Sequence, residues 1–319
     1  MSPLTTTPPP APTAPSVPAG SARARRRRPG QHHHGLWPGV FLTPALIALV
    51  VLRVVPTVKA VGSSLYTAFP GGIIPATYSG LTNYRQLFAD PAFVATIKRT
   101  LLFNVVINPL QILVALVVAV LMTQRIRARG LWRTFVFIPV TVPIVGSCIA
   151  WGAALGPQGP VNAIISAVGG HPQPFFTSAS QALAGIIVVA SWIGVGYWML
   201  FLIAGLQAIP AELYEAARLD RASPLRTFRH LTVPLLRRPL LFVLVADTVA
   251  NFVLFVPVQL LTNGGPQSST TLLMFDAYQT SYAFGSRNSG AAEIVILTLI
   301  MLAFVVLQFR LLRDETVDR

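Results

Sequence analysis

The residues that could do chemistry lie inside long apolar stretches of this sequence, where a polar side chain is costly unless it faces protein or water. In one stretch, Asp247, Asn251 and Gln259 follow one another at i, i+4 and i+12, near one face of a helix. Phe252 and Phe255 accompany them. Hydrogen bonding between helices would explain this spacing. A translocation path would explain it too, because amides, a carboxylate and aromatic rings together suit the hydroxyl groups and ring faces of a sugar.

A second polar stripe comes earlier in the chain. Asn104, Asn108 and Gln111 follow one another at i, i+4 and i+7, which is one face of a helix. Pro109 lies beside them, removes a backbone hydrogen bond and predicts a kink. Glu293 stands alone near the start of the last apolar stretch. We interpret the amide stripe as packing between helices, with lining of a path as the alternative.

No residue set typical of an enzyme accompanies these stripes. The apolar stretches contain no His-Glu-x-x-His motif, no Ser/His pair and no cluster of carboxylates. Lys59 and Lys98 are the only lysines, and neither belongs to a Gly-Lys-Ser/Thr phosphate-binding loop. Cys148 is the only cysteine, so an intrachain disulfide and a cysteine metal site are excluded. We therefore expect no catalytic residues, no metal and no cofactor, and we interpret His32–His34 as part of a solvated tail.

The elements that must position the polar residues are membrane-spanning helices. Only 11% of the 319 residues are charged and 53% are hydrophobic, whereas soluble domains are about 25% charged. Six apolar stretches reach the ~20 residues that a helix needs to cross hydrocarbon, and each should be helical because lipid cannot pair a free backbone amide. The predicted spans are 37–60, 98–123, 131–155, 181–206, 240–262 and 291–312.

Residues 1–35 are rich in Pro, Ala, Thr and Arg, and we predict that they form a disordered basic tail. Of the 24 lysines and arginines, 18 lie on one side of the six predicted spans, in the tail, at 125–133, at 218–238 and at the carboxy terminus. The positive-inside rule then places both termini in the cytoplasm. A cleaved signal peptide is the alternative for the first span, but the apolar stretch is too long for one.

The net charge of +14 does not indicate nucleic-acid binding, because the basic residues lie between apolar segments and form no platform with aromatic residues. The partner that the composition indicates is membrane lipid.

The cytoplasmic segment 211–236, between the fourth and fifth spans, has the most specific pattern. It reads Glu-Ala-Ala-Arg-Leu-Asp-Arg-Ala over 215–222 and Leu-Thr-Val-Pro-Leu-Leu over 231–236. We predict a short helix, a turn near Arg221 and a second helix to about residue 230. Small alanines allow one helix to lie close against another protein surface, and the two acids can hold its register.

This segment resembles the EAA loop of ABC importer permeases, whose pattern is Glu-Ala-Ala, two residues, Asp-Gly-Ala and a distant proline. The resemblance covers about residues 36–315 and is closest to the carbohydrate-uptake branch. Further blocks that carry it are Gly80–Tyr84, Phe135–Pro139, Gly159–Asn162, Leu261–Pro266 and Thr270–Thr271. Arg221 replaces the usual glycine, so either the turn is built differently or the arginine is held by a partner.

The resemblance implies an all-α type I importer permease fold over 36–315. It implies a second permease subunit in a heterodimer, two ATPase subunits, an external solute-binding protein and a sugar substrate. The residues that it assigns to ATPase coupling are Glu215, Ala216, Ala217, Asp220, Arg221, Ala222 and Pro234. A secondary transporter that uses Asp247 or Glu293 to sense an ion gradient is a second hypothesis, and an intramembrane enzyme is a third.

Overall fold

The computed structural model describes residues 37–68, 75–124 and 127–312, and their contacts divide the chain into two units, Met1–Arg53 and Val54–Arg319. The tail predicted over 1–35 lies outside the described residues. In the first unit, helix α1 spans Trp37–Leu49. A turn of π-helix over Val50–Val54 follows it and ends at the first residue of the second unit.

The regular secondary structure in the described part of the second unit is helical except for one small hairpin. Strands β1 (Tyr66–Thr67) and β2 (Thr77–Tyr78) pair antiparallel, with Tyr66 opposite Tyr78. The helices are α2 Val55–Ser64, α3 Thr82–Ala89, α4 Pro91–Thr123, α5 Arg129–Thr141, α6 Ile144–Ala154, α7 Pro160–Ala167, α8 Ala182–Gln207, α9 Ala211–Leu219, α10 Pro224–Thr227, α11 Val233–Leu235, α12 Arg237–Phe252, α13 Val256–Leu261, α14 Leu273–Tyr278 and α15 Arg287–Leu312. Turns of π-helix follow α10 over Phe228–Thr232 and α14 over Gln279–Ala283.

The second predicted span begins earlier than its apolar stretch because the sequence caps it. The Asp90 carboxylate accepts a hydrogen bond of 2.9 Å from the Ala92 backbone amide, and Pro91 occupies the first helical position. Helix α4 therefore runs for 33 residues. The amide stripe of the sequence lies in its middle, and Pro109 is accommodated inside a continuous helix.

The third predicted span, 131–155, is not a straight helix. Helices α5 and α6 meet at a bend of 101°. Val142 has extended backbone angles, φ −82° and ψ 130°, because the ring of Pro143 disfavours a helical conformation in the residue before it. The proline position therefore explains the bend.

The fifth predicted span, 240–262, is broken into two helices. Helix α12 contributes 16 residues, about 24 Å at 1.5 Å per residue, which is shorter than the ~30 Å hydrocarbon core. Helix α13 begins only after three intervening residues, with Pro257 in its first turn. Among the described residues, four helices are long and apolar enough to span a membrane, or five if the bent pair is one span. The fold is all-helical as predicted, but the count of six continuous spans is not reproduced.

Helices α4, α8 and α12 form the centre of the second unit. At the Thr123 end of α4, a core cluster joins Ala119 and Met122 to Leu202 of α8 and Val243 of α12. A second cluster surrounds Phe103 and Ile107, and a third includes Phe93 at the other end of α4. Helix α4 thus contributes to all three clusters and forms the axis about which the other helices pack.

Gly196 brings α5 against α8. A Cβ atom added at this position would lie 2.3 Å from the Val136 backbone oxygen, so only glycine permits the two helices to approach so closely.

Candidate functional site

The segment 211–236 has the predicted helix–turn–helix form. Helix α9 ends at Leu219, and α10 begins at Pro224 after Ser223, whose hydroxyl accepts a hydrogen bond of 3.3 Å from the Arg226 backbone amide. The Tyr214 and Thr232 hydroxyls lie 3.2 Å apart and tie the two halves of the loop together. We refer to 211–236 as the coupling loop, after the role that the resemblance implies for it.

The structure answers one of the two alternatives raised by Arg221, namely whether the turn is built differently; the contact with a partner stays a prediction. Arg221 has φ 53°, in the left-handed region where glycine is usual. Its backbone amide donates to the Arg218 carbonyl at 3.0 Å, and the Ala222 amide donates to the Ala217 carbonyl at 2.9 Å. These two bonds form a Schellman motif, in which a left-handed residue closes the helix end. The turn is therefore built in the glycine geometry although the residue is arginine.

The coupling loop presents an exposed surface. Glu215, Ala216, Asp220, Arg221 and Pro234 are exposed, and the two remaining alanines are half-buried. Leu219 and Leu225, on either side of the turn, are 86% and 74% exposed. These two leucines and the charged residues beside them are therefore free to contact another protein.

The polar residues of α12 lie inside the helical core. The Asn251 side-chain nitrogen donates to Asn108 Oδ1 at 2.7 Å, to Asp247 Oδ1 at 3.1 Å and to Gln111 Oε1 at 3.2 Å. All four side chains are at most 5% exposed, and Phe252 beside them is 1% exposed. We refer to these four polar residues as the amide cluster. Their bonds join α12 to α4, which is the hydrogen bonding between helices that would explain the spacing of both stripes.

Asn104 behaves differently from the rest of its stripe. Its side-chain nitrogen donates to the Thr100 carbonyl of the same helix at 2.9 Å. Its side-chain nitrogen is therefore bonded within α4, and it forms no hydrogen bond to α12.

Phe255 and Gln259, the other two residues of the predicted path, lie outside the amide cluster. Both are half-buried. The Phe255 ring lies 4.7 Å from that of Tyr278 and 6.2 Å from that of Phe275, and the Gln259 amide donates to Asn263 at 3.3 Å. The structure thus divides the predicted path residues into a buried polar group and a partly open aromatic group, and path lining itself stays a prediction.

Sequence reasoning missed two polar residues that extend the hydrogen bonding of the amide cluster, the buried Thr248 and the half-buried Gln308. The Thr248 hydroxyl accepts from Asn108 at 3.1 Å and from Gln308 of α15 at 2.7 Å, so it joins three helices. Gln308 is the one amide in its apolar stretch. A single amide among apolar residues predicts a polar partner on another helix, so the sequence did contain a signal for Gln308.

A second polar centre lies near the Pro91 end of α4. Arg99 donates to the Thr271 carbonyl at 3.1 Å, and its charge reaches Asp276 of α14. Burial raises the pKa of Asp276, while a hydrogen bond from Thr96 and the charge of Arg99 oppose that shift. Glu293, 2% exposed, faces Asp276 and Thr280. The contacts of Arg99 hold α14 and the segment before it against α4.

An all-helical chain with several helices long and apolar enough to cross a membrane is typical of a polytopic membrane protein. Residues 111–315 match the family of binding-protein-dependent transport system inner membrane components. The chain belongs to this family. It is a multi-pass protein of the inner membrane, and the match supports a subunit of a larger system over a carrier that acts alone.

Two curated relatives extend the match to most of the chain. The lactose transport system permease protein LacF of Rhizobium radiobacter is 32% identical over 282 residues, which cover 86% of this chain and 94% of LacF. The sn-glycerol-3-phosphate transport system permease protein UgpA of Pectobacterium atrosepticum is 31% identical over 278 residues, covering 86% and 92%.

Among solved structures, a bacterial ABC transporter involved in the import of the acidic polysaccharide alginate has a similar chain. Its TM-score is 0.74 at 20% identity, with 88% of this chain and 96% of that chain covered. A bacterial alginate ABC transporter in complex with an alginate pentasaccharide-bound periplasmic protein gives a TM-score of 0.75 at 19% identity, covering 87% of this chain and 94% of that chain. At this identity the likeness shows a shared fold.

The left-handed turn at Arg221 gives a stability prediction. Replacing Arg221 by glycine removes the clash of a Cβ in this conformation, so we expect Arg221→Gly to stabilise the chain by up to about 1 kcal/mol. Thermal unfolding of the purified chain in detergent measures the change. Arg226→Gly is the control, because Arg226 lies in a helix and glycine there should cost about 1 kcal/mol. Equal destabilisation by both variants would contradict the role given to the backbone angle.

Proposed function

We propose that the chain is one of two membrane-spanning subunits of an ATP-driven importer for sugars or closely related polyols. Relatives named for lactose and for sn-glycerol 3-phosphate support this substrate class. The importer would combine this chain with a different permease subunit, two ATPase subunits and a solute-binding protein. Hydrolysis of ATP falls to the partner subunits, because the chain has no phosphate-binding loop.

The observation that carries the proposal is the exposed coupling loop with its rigid turn. Closure of an ATPase pair does mechanical work on a permease only if the contact transmits force without yielding. The Schellman bonds at Arg221 and the Tyr214–Thr232 contact stiffen the loop. The burial of Leu236, which is 0% exposed, anchors its end in the α4–α8 core. Loop displacement would therefore move the helical core as a body, as alternating access requires.

Charge reversal at Glu215 tests the coupling role. We expect Glu215→Lys to reduce uptake of labelled lactose or glycerol 3-phosphate by at least about tenfold, equivalent to about 1.4 kcal/mol. ATP hydrolysis would no longer respond to the binding protein, while the amount of protein in the membrane stays normal. Glu212→Lys makes the same charge change on the same exposed helix, one turn earlier, and should retain uptake. Normal uptake by Glu215→Lys would overturn the assignment.

We propose that both termini and the coupling loop face the cytoplasm, as the distribution of arginines indicates. The loop and residue 124 border one cavity, so a label near residue 129 reports on the side that the loop occupies.

Thiol labelling tests this orientation. Cys148 is 1% exposed and should stay silent. In intact spheroplasts, an impermeant maleimide should label Ser180→Cys at once, but Arg129→Cys only after the membrane is opened. Both positions are exposed, and the proposed orientation puts them on opposite sides of the membrane. The reverse labelling order would place the loop outside the cell.

For the translocation path we propose a division of roles. Phe255 and Gln259 line the path, and Asp247, Asn251 and Phe252 hold the helices that form it. The partly open aromatic group can contact sugar rings, whereas each member of the amide cluster already has a protein partner.

Paired alanine variants separate the two roles. Gln259→Ala should lower uptake of labelled substrate and leave thermal stability unchanged. Asn251→Ala should lower stability by about 1–3 kcal/mol, because it leaves buried acceptors unpaired. Transport and thermal unfolding of the complete transporter are the measurements. Loss of stability in Gln259→Ala with none in Asn251→Ala would contradict the division.

A further inference from the structure

A cavity of about 900 Å³ lies behind the coupling loop, between the loop and the ends of α4 and α8. This volume is within the range of ~300–1,000 Å³ typical of small-molecule sites. The cavity is distinct from the amide cluster and from the aromatic group at Phe255. None of the coupling residues except Ala222 borders it.

The walls of the cavity differ in chemistry. Arg218, on the loop side, is the only charged residue among the described lining residues. Within the described part of the chain it has no acidic partner and its side chain makes no hydrogen bond. Tyr214 and Thr232, whose hydroxyl groups lie 3.2 Å apart, also line the cavity. This wall offers an uncompensated guanidinium with five N–H donors, a group that binds phosphate in a bidentate manner.

The opposite wall is polar and uncharged. It contains Thr123, Gln124 and Gln207, where α4 and α8 end. The two glutamine side chains make no hydrogen bond within the described residues, so both amides are available to a ligand. The carboxy-terminal ends of α4 and α8 disfavour an anion and favour hydrogen-bond donors such as hydroxyl groups. Arg218 also lies in the last turn of a helix, α9, but it brings its own positive charge to that end. An anionic group is therefore expected at Arg218, and hydroxyl groups at the other wall.

We propose that this cavity binds a phosphate ester that carries free hydroxyl groups, with the phosphate on Arg218 and the hydroxyls on Gln124 and Gln207. Two sources share this chemistry: a soluble sugar phosphate, and the glycerophosphate headgroup of an anionic lipid. The ligand would bridge the coupling loop and the ends of two helices, and so would regulate how firmly the loop is attached to the helical core. This role rests on the proposed function of the loop, but the binding itself does not.

Binding to the full chain in nanodiscs tests the proposal without any transport or ATPase assay. In phosphatidylcholine nanodiscs, labelled glucose 6-phosphate should bind, and unlabelled glucose should compete poorly. Native mass spectrometry of nanodiscs that contain phosphatidylglycerol should show retained lipid if the headgroup is the ligand. Arg218→Gln should weaken whichever ligand binds by at least about tenfold.

Arg226→Gln is the matched control, because Arg226 is an exposed arginine of the same loop that does not border the cavity. It should leave binding within about twofold of wild type, since its charge lies outside the cavity and reaches a ligand there only through solvent. Retention of glucose 6-phosphate alone identifies a soluble ester as the ligand, and retention of phosphatidylglycerol alone identifies a lipid site. If neither ligand distinguishes wild type from Arg218→Gln, or if Arg226→Gln weakens binding equally, the proposal is wrong. Failure here would leave the coupling role of Glu215 untouched.

Discussion

The packing of the central helices depends on one side-chain nitrogen, which donates hydrogen bonds to acceptors on two helices. Asn251 donates to acceptors on α4 and on its own helix α12, and Asn108 and Thr248 extend the bonding to α15. In a membrane, apolar side chains gain little from leaving lipid, so packing and polar contacts must specify which helix faces correspond. An amide that finds three acceptors within 3.2 Å fixes the register of α12 on α4. This register also decides where the apolar residues of α12 pack: Val243 in the cluster with α4 and α8, and Phe252 in the cluster with α14 and α15.

Prolines decide where this core is interrupted. Pro143 forces the 101° bend between α5 and α6, and Pro257 lies in the first turn of α13 after the break that ends α12. Both interruptions fall beside polar or aromatic residues rather than in uniformly apolar helix. Irregular backbone at membrane depth is tolerated where protein or water can satisfy it. The broken span therefore combines a rigid half, which holds the amide cluster, with a half that can present Phe255 and Gln259.

The sequence predicts composition-driven features well and geometry-driven features less well. Apolar length located α4, α8 and α15 to within a few residues, except where the Asp90 cap extended α4. Apolar length wrongly predicted one continuous helix over 240–262. The mean hydropathy of that stretch stays high across the three residues that separate α12 from α13, so it does not reveal the break. The polar stripes were found by helical spacing, yet spacing alone does not separate a bond to a neighbouring helix from a bond within the same helix. Asn104 and Asn108 share a stripe and differ in this respect. Thr248 was missed because a single hydroxyl carries no periodic signal.

The turn at Arg221 has a further consequence. Its hydrogen bonds come from the main chain alone, so the shape of the loop does not depend on which side chain occupies the position. Related permeases usually have glycine, which has no side chain, at this position. In this chain the position carries an exposed arginine and therefore a permanent positive charge on the outer surface of the loop. Permeases that keep identical loop geometry can thereby differ in the charge they offer to a neighbour. Such a difference would let several transporters share one cell while each recruits its own nucleotide-binding subunit.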